Sequence, residues 1–235
     1  MYHQHFTSIP STQIYLKENL EALKAQDNDI LISCSEQTLG IGQRGNTWDS
    51  HPNSIAMSFT LKPNNTPTLT PLEIGLLTIG FLKVKFNKEI LIKWPNDLLS
   101  IDGKKCGGIL CQFIDNTTVI VGLGINLGKL SNRSINNYKH GISSVDSNLE
   151  MSALEQEVVS KELYHFLGSN RFSDASELKK IFDKHCAHLN KTVSISEDGL
   201  DRYGIFRGIG TNGEALVEIN SIIKTFLSSS LTIIN

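Results

Sequence analysis

A glycine-rich segment, Gly40–Gly45, is the first place in this sequence where chemistry is expected. It fits the G-x-G-x-x-G pattern of dinucleotide-binding turns. That pattern requires a helix directly after the loop, whereas the residues that follow, Trp48–Asn53, cannot open a long helix. We therefore reject a dinucleotide fold. Two interpretations remain: a backbone that wraps a ligand and offers N–H donors to a carboxylate or phosphate, or a tight surface loop.

Two further segments combine charged side chains with unusual backbone residues. Lys93–Asp97 places a lysine, a tryptophan, a proline and two polar residues at the end of an expected strand, where binding sites are commonly built. The alternative is an edge strand that ends in a turn. Lys104 and Lys105 precede Gly107 and Gly108 in an apolar run, and glycine within a strand often marks a close approach. The alternative for the lysines is a solvated hairpin tip.

A third strand-like run carries small residues and then an amide. Gly122 and Gly124 interrupt this apolar run, and Asn126 follows them. An asparagine at that position reads the edge of a base or only caps a turn. Each of these segments has an ordinary structural explanation when taken alone. Together, three glycine-marked segments and one polar strand end in a single stretch of chain favour a binding site.

The hydrophobic pattern predicts the elements that must position these segments. A helix is expected after Ser11 or Thr12, either of which can cap it. An apolar helix is expected from Leu72 to about Val84, with Pro71 in its first turn. Periodicity further predicts strands at Ile30–Ser33, Ser54–Leu61, Ile90–Lys93, Cys106–Ile114 and Thr117–Ile125, and helices at Ser152–Leu167 and Asp174–Leu189.

From about Leu189 the pattern changes from a helical period to the alternation that is typical of strands. A strong turn is expected at Gly210–Gly213, between the short strands of this segment. Several short strands close together predict a small β-barrel appended to the main body. The sequence therefore predicts a main domain at residues 1–188 and a β-domain at residues 189–235.

Composition restricts the class of protein further. The chain has 235 residues, and 22 Lys+Arg against 24 Asp+Glu give a formal net charge of −2, which offers no general attraction to nucleic acid or membranes. No apolar run reaches the length of a transmembrane helix, and the polar N-terminus lacks the features of a signal peptide. Four cysteines without a C-x-x-C pair predict buried free thiols in a reduced, cytoplasmic protein.

The chemistry-bearing segments, in their order and spacing, resemble the signature segments of biotin–protein ligases. The resemblance covers essentially the whole chain, and Lys93–Asp97 is its most specific part. It implies an α+β fold: a mixed sheet with helices akin to class II aminoacyl-tRNA synthetases, plus a small C-terminal SH3-like β-barrel. Family members that are also repressors carry an N-terminal DNA-binding domain. Because this sequence starts at the ligase domain, we expect no DNA binding.

The resemblance also implies a reaction. Biotin is activated with ATP as biotinyl-5′-adenylate and is then transferred to a lysine of the biotin carboxyl carrier protein of acetyl-CoA carboxylase. Both reacting partners are anionic, so a cation and Mg²⁺ must neutralise them. Lys105 is implied as that cation, with Lys104 as the alternative, and Asp97 is implied as a second catalytic residue and magnesium ligand. No membrane partner is expected, and a homodimer is compatible with the resemblance.

The remaining site residues are implied in two groups. The residues implied to bind biotin are Ser11, Thr12, Gln37, Gly40, Gln43, Arg44, Lys105, Gly107 and Gly108. The residues implied to bind ATP or the adenylate are Gly42, Arg44, Trp48, Asn96, Asn126 and Arg207. The residues that contact adenine are left unassigned within 130–148.

The glycine-rich segment departs from the family pattern, which usually has basic residues at its second and fourth positions. Here these positions hold Ile41 and Gln43, and only Arg44 is basic. Loss of an arginine removes charge-assisted contacts, so either Arg44 substitutes or the adenylate is held loosely. Two rival functions stay open: a lipoate–protein ligase, disfavoured by Lys93–Asp97, and a non-catalytic biotin or adenylate sensor, suggested by Ile41 and Gln43.

Overall fold

The computed structural model describes residues 1–131, 141–197, 200–227 and 229–234, so part of the 130–148 segment lies outside it. The strands are β1 (Tyr2–Ile9), β2 (Ile30–Gln37), β3 (Gly40–Ile41), β4 (Thr47–Trp48), β5 (Ser54–Leu61), β6 (Ile90–Lys93), β7 (Asp97–Ser100), β8 (Lys105–Phe113), β9 (Val119–Asn126), β10 (Thr192–Glu197), β11 (Leu200–Ile209), β12 (Ala215–Ile219), β13 (Ile222–Phe226) and β14 (Ser230–Ile233). The helices are α1 (Thr12–Glu18), α2 (Leu20–Lys24), α3 (Thr70–Phe86), α4 (Ala153–Ser169) and α5 (Ala175–His185).

The main body is a mixed sheet of seven strands in the order β1-β2-β5-β9-β8-β7-β6. Strand β1 runs parallel to β2, and the other neighbouring pairs are antiparallel. Helix α3 is buried on nearly every side, which explains its almost uninterrupted apolar sequence. Pro71 lies in its first turn, as predicted, and the helix ends at Asn87 in the left-handed region, with φ 53. The predicted α+β class is confirmed.

The N-terminal part confirms one of the two predicted helix caps and differs from the prediction in two other ways. Ser11, not Thr12, is the N-cap, and its side chain accepts a hydrogen bond from the Ile14 backbone N–H. The single expected helix is interrupted at Asn19, which separates α1 from α2. Strand β1 was not predicted, because a half-buried edge strand needs no apolar alternation.

The C-terminal strands form a second sheet in the order β13-β12-β11-β10-β14. Within the described residues, β13 and β14 each pair on one side only, so the sheet is open and the predicted SH3-like barrel is not confirmed. This sheet packs on the main body through one continuous apolar core that contains Trp94 and Phe206. The Trp94 indole N–H also donates to the Gly213 carbonyl at 2.9 Å. The division at residue 188 stays a prediction.

Two expectations from composition can be compared with the structure. The four cysteines are free: Cys34 and Cys106 are buried, whereas Cys111 and Cys186 are partly exposed. None of the helices in the described residues has the length and apolar character needed to span a membrane.

Candidate active site

One cavity brings most of the chemistry-bearing segments together. It lies among the start of α1, the end of β2, the glycine-rich segment and the strands β5, β8 and β9. The space between its walls is about 460 Å³ with the open mouth included. The lining residues are Thr12, Gln13, Gln37, Ile41, Gly42, Gln43, Trp48, Met57, Ser58, Asn96, Lys105, Gly108, Ile109, Leu110, Gly122, Leu123 and Gly124.

The polar wall of this cavity is a hydrogen-bonded pair from α1 and β2. The Gln37 Oε1 atom accepts from the Thr12 backbone N–H at 2.8 Å and from the Thr12 hydroxyl at 3.1 Å. A backbone N–H can only donate, so this contact fixes the orientation of the Gln37 amide. Ser50 holds the strand end in place, because its hydroxyl accepts from the Gln37 backbone N–H at 2.9 Å.

Ser58 and Gln13 continue this polar wall, and neither is among the site residues that the sequence predicts. The Ser58 hydroxyl lies 2.9 Å from the Thr12 hydroxyl and donates to Gln13 Oε1 at 2.9 Å. The glycine at position 122 makes room for Gln13, because a Cβ there would lie 2.6 Å from Gln13 Oε1. The glycines of β9 were expected to mark a close approach, but the sequence could not show that Gln13 occupies this space.

The second glycine of β9 accommodates the indole of Trp48. A Cβ at Gly124 would lie 2.5 Å from the Trp48 ring, so only glycine permits this packing. Gly40 is constrained by the same residue, since a Cβ there would lie 2.4 Å from the Trp48 carbonyl oxygen. The Trp48 indole N–H is buried and has no hydrogen-bond partner among the described residues. Trp48 therefore closes one side of the cavity.

The charged part of the site is an aspartate between two lysines. Lys105 Nζ lies 2.6 Å from Asp97 Oδ1, and Lys93 Nζ lies 3.3 Å from Asp97 Oδ2. Burial alone would raise the pKa of the Asp97 carboxyl, but the two ammonium groups outweigh it and lower that pKa below its usual range. Asp97 is therefore ionised at neutral pH, and it holds the Lys105 ammonium at the cavity.

The two adjacent lysines are placed differently. Lys105 lines the cavity, whereas Lys104 pairs with Asp102 at 3.0 Å on the surface. Both side chains of that surface pair are 52% exposed, so solvent screens the interaction. This placement favours Lys105 over Lys104 as the cation of the site.

The two predicted asparagines lie in different surroundings. Asn96 lines the cavity, and its side-chain amide donates to the Ile109 carbonyl at 2.9 Å. Asn126 is buried, accepts from the Ser54 hydroxyl at 3.1 Å and donates to the Ser143 carbonyl at 3.3 Å. Asn126 thus anchors the chain after residue 141 to β9.

The glycine-rich segment turns its two polar side chains to different places. Gln43 lines both this cavity and a second one, which lies between the segment and the start of α3. Arg44 lines only the second cavity, and its φ of 55 is in the left-handed region. In this conformation Arg44 does not take the place of the missing basic residues.

Four other predicted residues are not brought to the cavity wall. Ser11 uses its hydroxyl as a helix cap, and Gly107 packs against Leu98 and the Gly124 carbonyl. Arg207 is on the C-terminal sheet, where its guanidinium donates to Glu218 at 2.8 Å and to Asn190 at 2.7 Å. The fourth, Gly40, is beside Trp48 as described above.

Both carboxylate oxygens of Asp97 face an ammonium group in this structure. Among the described residues, no group of three or more His, Cys, Asp or Glu side chains could hold a metal ion. Magnesium bound with a nucleotide usually takes only one or two carboxylates and the substrate phosphates. The magnesium role of Asp97 stays a prediction.

A cavity with an amide–hydroxyl wall and a lysine held by an aspartate defines a site for a small molecule that carries an anionic group. The family model described as the biotin/lipoate A/B protein ligase family matches residues 5–126, which is more than half of the chain. The chain belongs to this family.

Similar proteins and structures match nearly the whole length of this chain. The bifunctional ligase/repressor BirA of Escherichia coli (strain K12) is 25% identical over 235 residues, which cover 96% of this chain and 72% of that protein. The structure of biotin protein ligase from Aquifex aeolicus in complex with biotin and ATP superposes with a TM-score of 0.80, at 24% identity over 99% of both chains. Biotin acetyl coenzyme A carboxylase synthetase from Helicobacter pylori, with bound biotinylated ATP, gives a TM-score of 0.68 at 22% identity, covering 95% of this chain and 99% of that one.

Proposed function

We propose that this chain is an ATP-dependent biotin–protein ligase, which forms biotinyl-5′-adenylate and transfers biotin to a lysine of a carrier protein. The observation that carries the proposal is the position of Lys105. Its ammonium lines the same cavity as the Thr12–Gln37 pair and is held by Asp97 at 2.6 Å. One cavity thus offers hydrogen-bonding groups for an uncharged head group and a cation for a carboxylate.

In the first step, a biotin carboxylate oxygen attacks the α-phosphorus of ATP, and pyrophosphate leaves. Negative charge from both partners converges where the new P–O bond forms. Lys105 is the residue that neutralises this charge, since a cation already held in position by Asp97 needs no reorganisation during the reaction. Asp97 acts as a positioning residue that keeps the ammonium at the cavity.

In the second step, an amine from the carrier protein attacks the carbonyl carbon of the mixed anhydride. An amide bond forms, AMP leaves, and the amine loses a proton. We propose that the acceptor is a lysine of the biotin carboxyl carrier protein of acetyl-CoA carboxylase. Magnesium dependence, a cytoplasmic location and the homodimer remain parts of this proposal, and we assign no step to the metal.

Lipoate is the substrate that the same family offers as an alternative. Its dithiolane ring has no hydrogen-bonding N–H or carbonyl group. Bound lipoate would place an apolar ring against Thr12, Gln37 and Ser58 and would use none of their remaining hydrogen-bonding capacity. The polar wall therefore supports biotin over lipoate.

The direct test is to incubate the protein with biotin, Mg-ATP and a carrier domain and to weigh the carrier by mass spectrometry. We expect a mass increase equal to one biotin minus one water, together with release of pyrophosphate. Lipoate in place of biotin is the matched control and should give no adduct. Biotin binding without pyrophosphate release would instead support a sensor, and a lipoyl adduct would support the other branch of the family.

A further inference from the structure

We infer that Gln13 is a positioning residue that selects the head group of the substrate, by setting the direction of a hydrogen-bond chain in the cavity wall. The inference rests on the proposed function, because it names how a cyclic urea is recognised. Gln13 is 3% exposed, lines the cavity and comes directly after Thr12 at the start of α1.

The orientation of the Gln13 amide is fixed from outside the cavity. Its Nε2 atom donates to the Ile120 backbone carbonyl at 3.4 Å and to Gln112 Oε1 at 3.1 Å. A backbone carbonyl can only accept, so the amide nitrogen must face it. The Oε1 atom therefore faces inward and accepts from the Ser58 hydroxyl at 2.9 Å.

This orientation determines where the hydroxyl protons of the wall go. Ser58 has one hydroxyl proton, and Gln13 Oε1 takes it. The Thr12 hydroxyl then donates to Ser58 Oγ at 2.9 Å or to Gln37 Oε1 at 3.1 Å. In either arrangement the hydroxyl protons of Ser58 and Thr12 are both donated to other side chains of the wall. The remaining lone pairs of the two hydroxyl oxygens are left for a ligand.

The wall is therefore an acceptor surface on the side of Thr12 and Ser58. A ligand that fits it must present N–H donors, as the two N–H groups of a cyclic urea do. Reversal of the Gln13 amide would send the Ser58 proton elsewhere and remove this preference. Gly122 serves the same arrangement, because a Cβ at that position would collide with Gln13 Oε1 at 2.6 Å.

The experiment compares biotin with iminobiotin, in which a protonated imine replaces the urea oxygen and makes the head group cationic. Dissociation constants are measured by calorimetry for the wild type, Gln13→Leu and Gln13→Glu. Loss of the amide in Gln13→Leu should weaken biotin binding roughly tenfold, which corresponds to about 1.4 kcal/mol. In Gln13→Glu the ratio of biotin to iminobiotin affinity should shift at least tenfold towards the cation.

The ratio tests whether position 13 acts on the head group of the ligand, and an unchanged ratio in Gln13→Glu would overturn the inference. A wild type that binds no biotin would overturn the proposed function itself. Wild-type binding with an unchanged ratio in the variant would remove only the role of Gln13.

Ser58→Ala provides a second route if the buried carboxylate prevents folding of Gln13→Glu. Ser58 is the next residue in the same hydrogen-bond chain. We therefore expect biotin binding to weaken by similar factors in Ser58→Ala, in Gln13→Leu and in the double variant. Losses that multiply in the double variant would show that the two residues act independently and would contradict the inference. Gln112→Ala leaves the Ile120 carbonyl in place as a partner of Gln13. This variant should change the affinity for biotin by less than Ser58→Ala or Gln13→Leu does.

Discussion

Lys105, which lines the cavity, forms an ion pair with Asp97, with 2.6 Å between Nζ and Oδ1. The two residues lie on the neighbouring strands β8 and β7, where Asp97 pairs with Gly108 and Lys105 pairs with Leu99. Lys93 reaches the other oxygen of the same carboxylate at 3.3 Å. Asp97 thus holds the Lys105 ammonium at the cavity and also pairs with the Lys93 ammonium.

Lys105→Ala should abolish adenylate formation, because it removes the ammonium group that neutralises the negative charge of the reacting carboxylate and phosphate. A preorganised electrostatic contact of this kind is worth roughly 10²–10³ in kcat. Lys104→Ala is the matched control and should retain near wild-type activity, since Lys104 pairs with Asp102 on the surface. Pyrophosphate release with biotin and ATP is the measurement. Equal losses in both variants, or a larger loss for Lys104→Ala, would contradict this assignment.

Asp97→Asn should impair the ATP step while the protein stays folded. The amide has the shape of the carboxylate but no charge, so the Lys105 ammonium is no longer held at the cavity. Because the pKa of Asp97 lies below its usual range, the wild-type pair should persist into mildly acidic solution. The single-turnover rate of adenylate formation is the measurement, with circular dichroism as the check of folding. An unchanged rate at saturating Mg²⁺ would exclude Asp97 from the site.

Gln43→Arg should slow the release of biotinyl-adenylate. Gln43 lines the cavity at a position where related enzymes usually have a basic residue, and a guanidinium binds phosphate or carboxylate oxygens more strongly than an amide does. A gain of about 1.4 kcal/mol corresponds to roughly tenfold slower release. Dissociation of purified complex is followed by filtration. Arg44→Gln is the companion variant and should leave release unchanged, because Arg44 lines the neighbouring cavity. Faster release from Arg44→Gln would show that Arg44 holds the intermediate.

Arg171→Ala should destabilise the fold by about 3–5 kcal/mol, since it leaves a buried carboxylate without its charged partner and with only the hydrogen bonds from Asn64 and Phe172. Glu73 on α3 is fully buried and accepts two hydrogen bonds from the Arg171 guanidinium, at 2.8 and 2.6 Å. The free energy of unfolding in urea is the measurement. Lys83→Ala removes the exposed pair with Glu89 and should cost less than about 1 kcal/mol. Similar losses in the two variants would mean that burial does not matter at Glu73.

Acid should destabilise the protein through His188. This residue is buried against Phe206, and burial, together with Lys93 and Lys191, lowers the pKa of its imidazole from 6.5 to about 3. At a pH below the pKa of His188 in the unfolded chain, the unfolded chain takes up a proton at this residue and the folded protein does not. The stabilisation is therefore full above about pH 6.5 and is lost as the pH falls towards 3.

The size of this effect can be measured by urea unfolding at two pH values. Between pH 7 and pH 5, linkage predicts a loss of about 2 kcal/mol from His188 alone. The variant His188→Gln has no titrating group and should lose correspondingly less over the same range. A variant with the same pH dependence as the wild type would assign the acid sensitivity to other groups.

The sequence correctly indicated the chemistry of several segments before their neighbours were known. The glycines at 122 and 124 are expected from the sequence to mark a close approach, and the structure confirms it. That prediction depends on local order alone, because a glycine within a strand lacks a side chain. The choice of Lys105 over Lys104 comes from the family resemblance and stays a prediction. The helix opened by Pro71 was equally predictable, because its apolar run and first turn are local features.

Tertiary structure decided what those features meet. The side chains that fill the space above β9, Gln13 and Trp48, are far from Gly122 and Gly124 in sequence and reach them only when α1 and the glycine-rich segment pack on the sheet. Arg207 was placed at the adenylate by resemblance, yet in the fold it pairs with Glu218. The open C-terminal sheet likewise depends on which strands pair. Local periodicity specifies elements and the faces they bury, whereas the partners of a side chain depend on long-range packing.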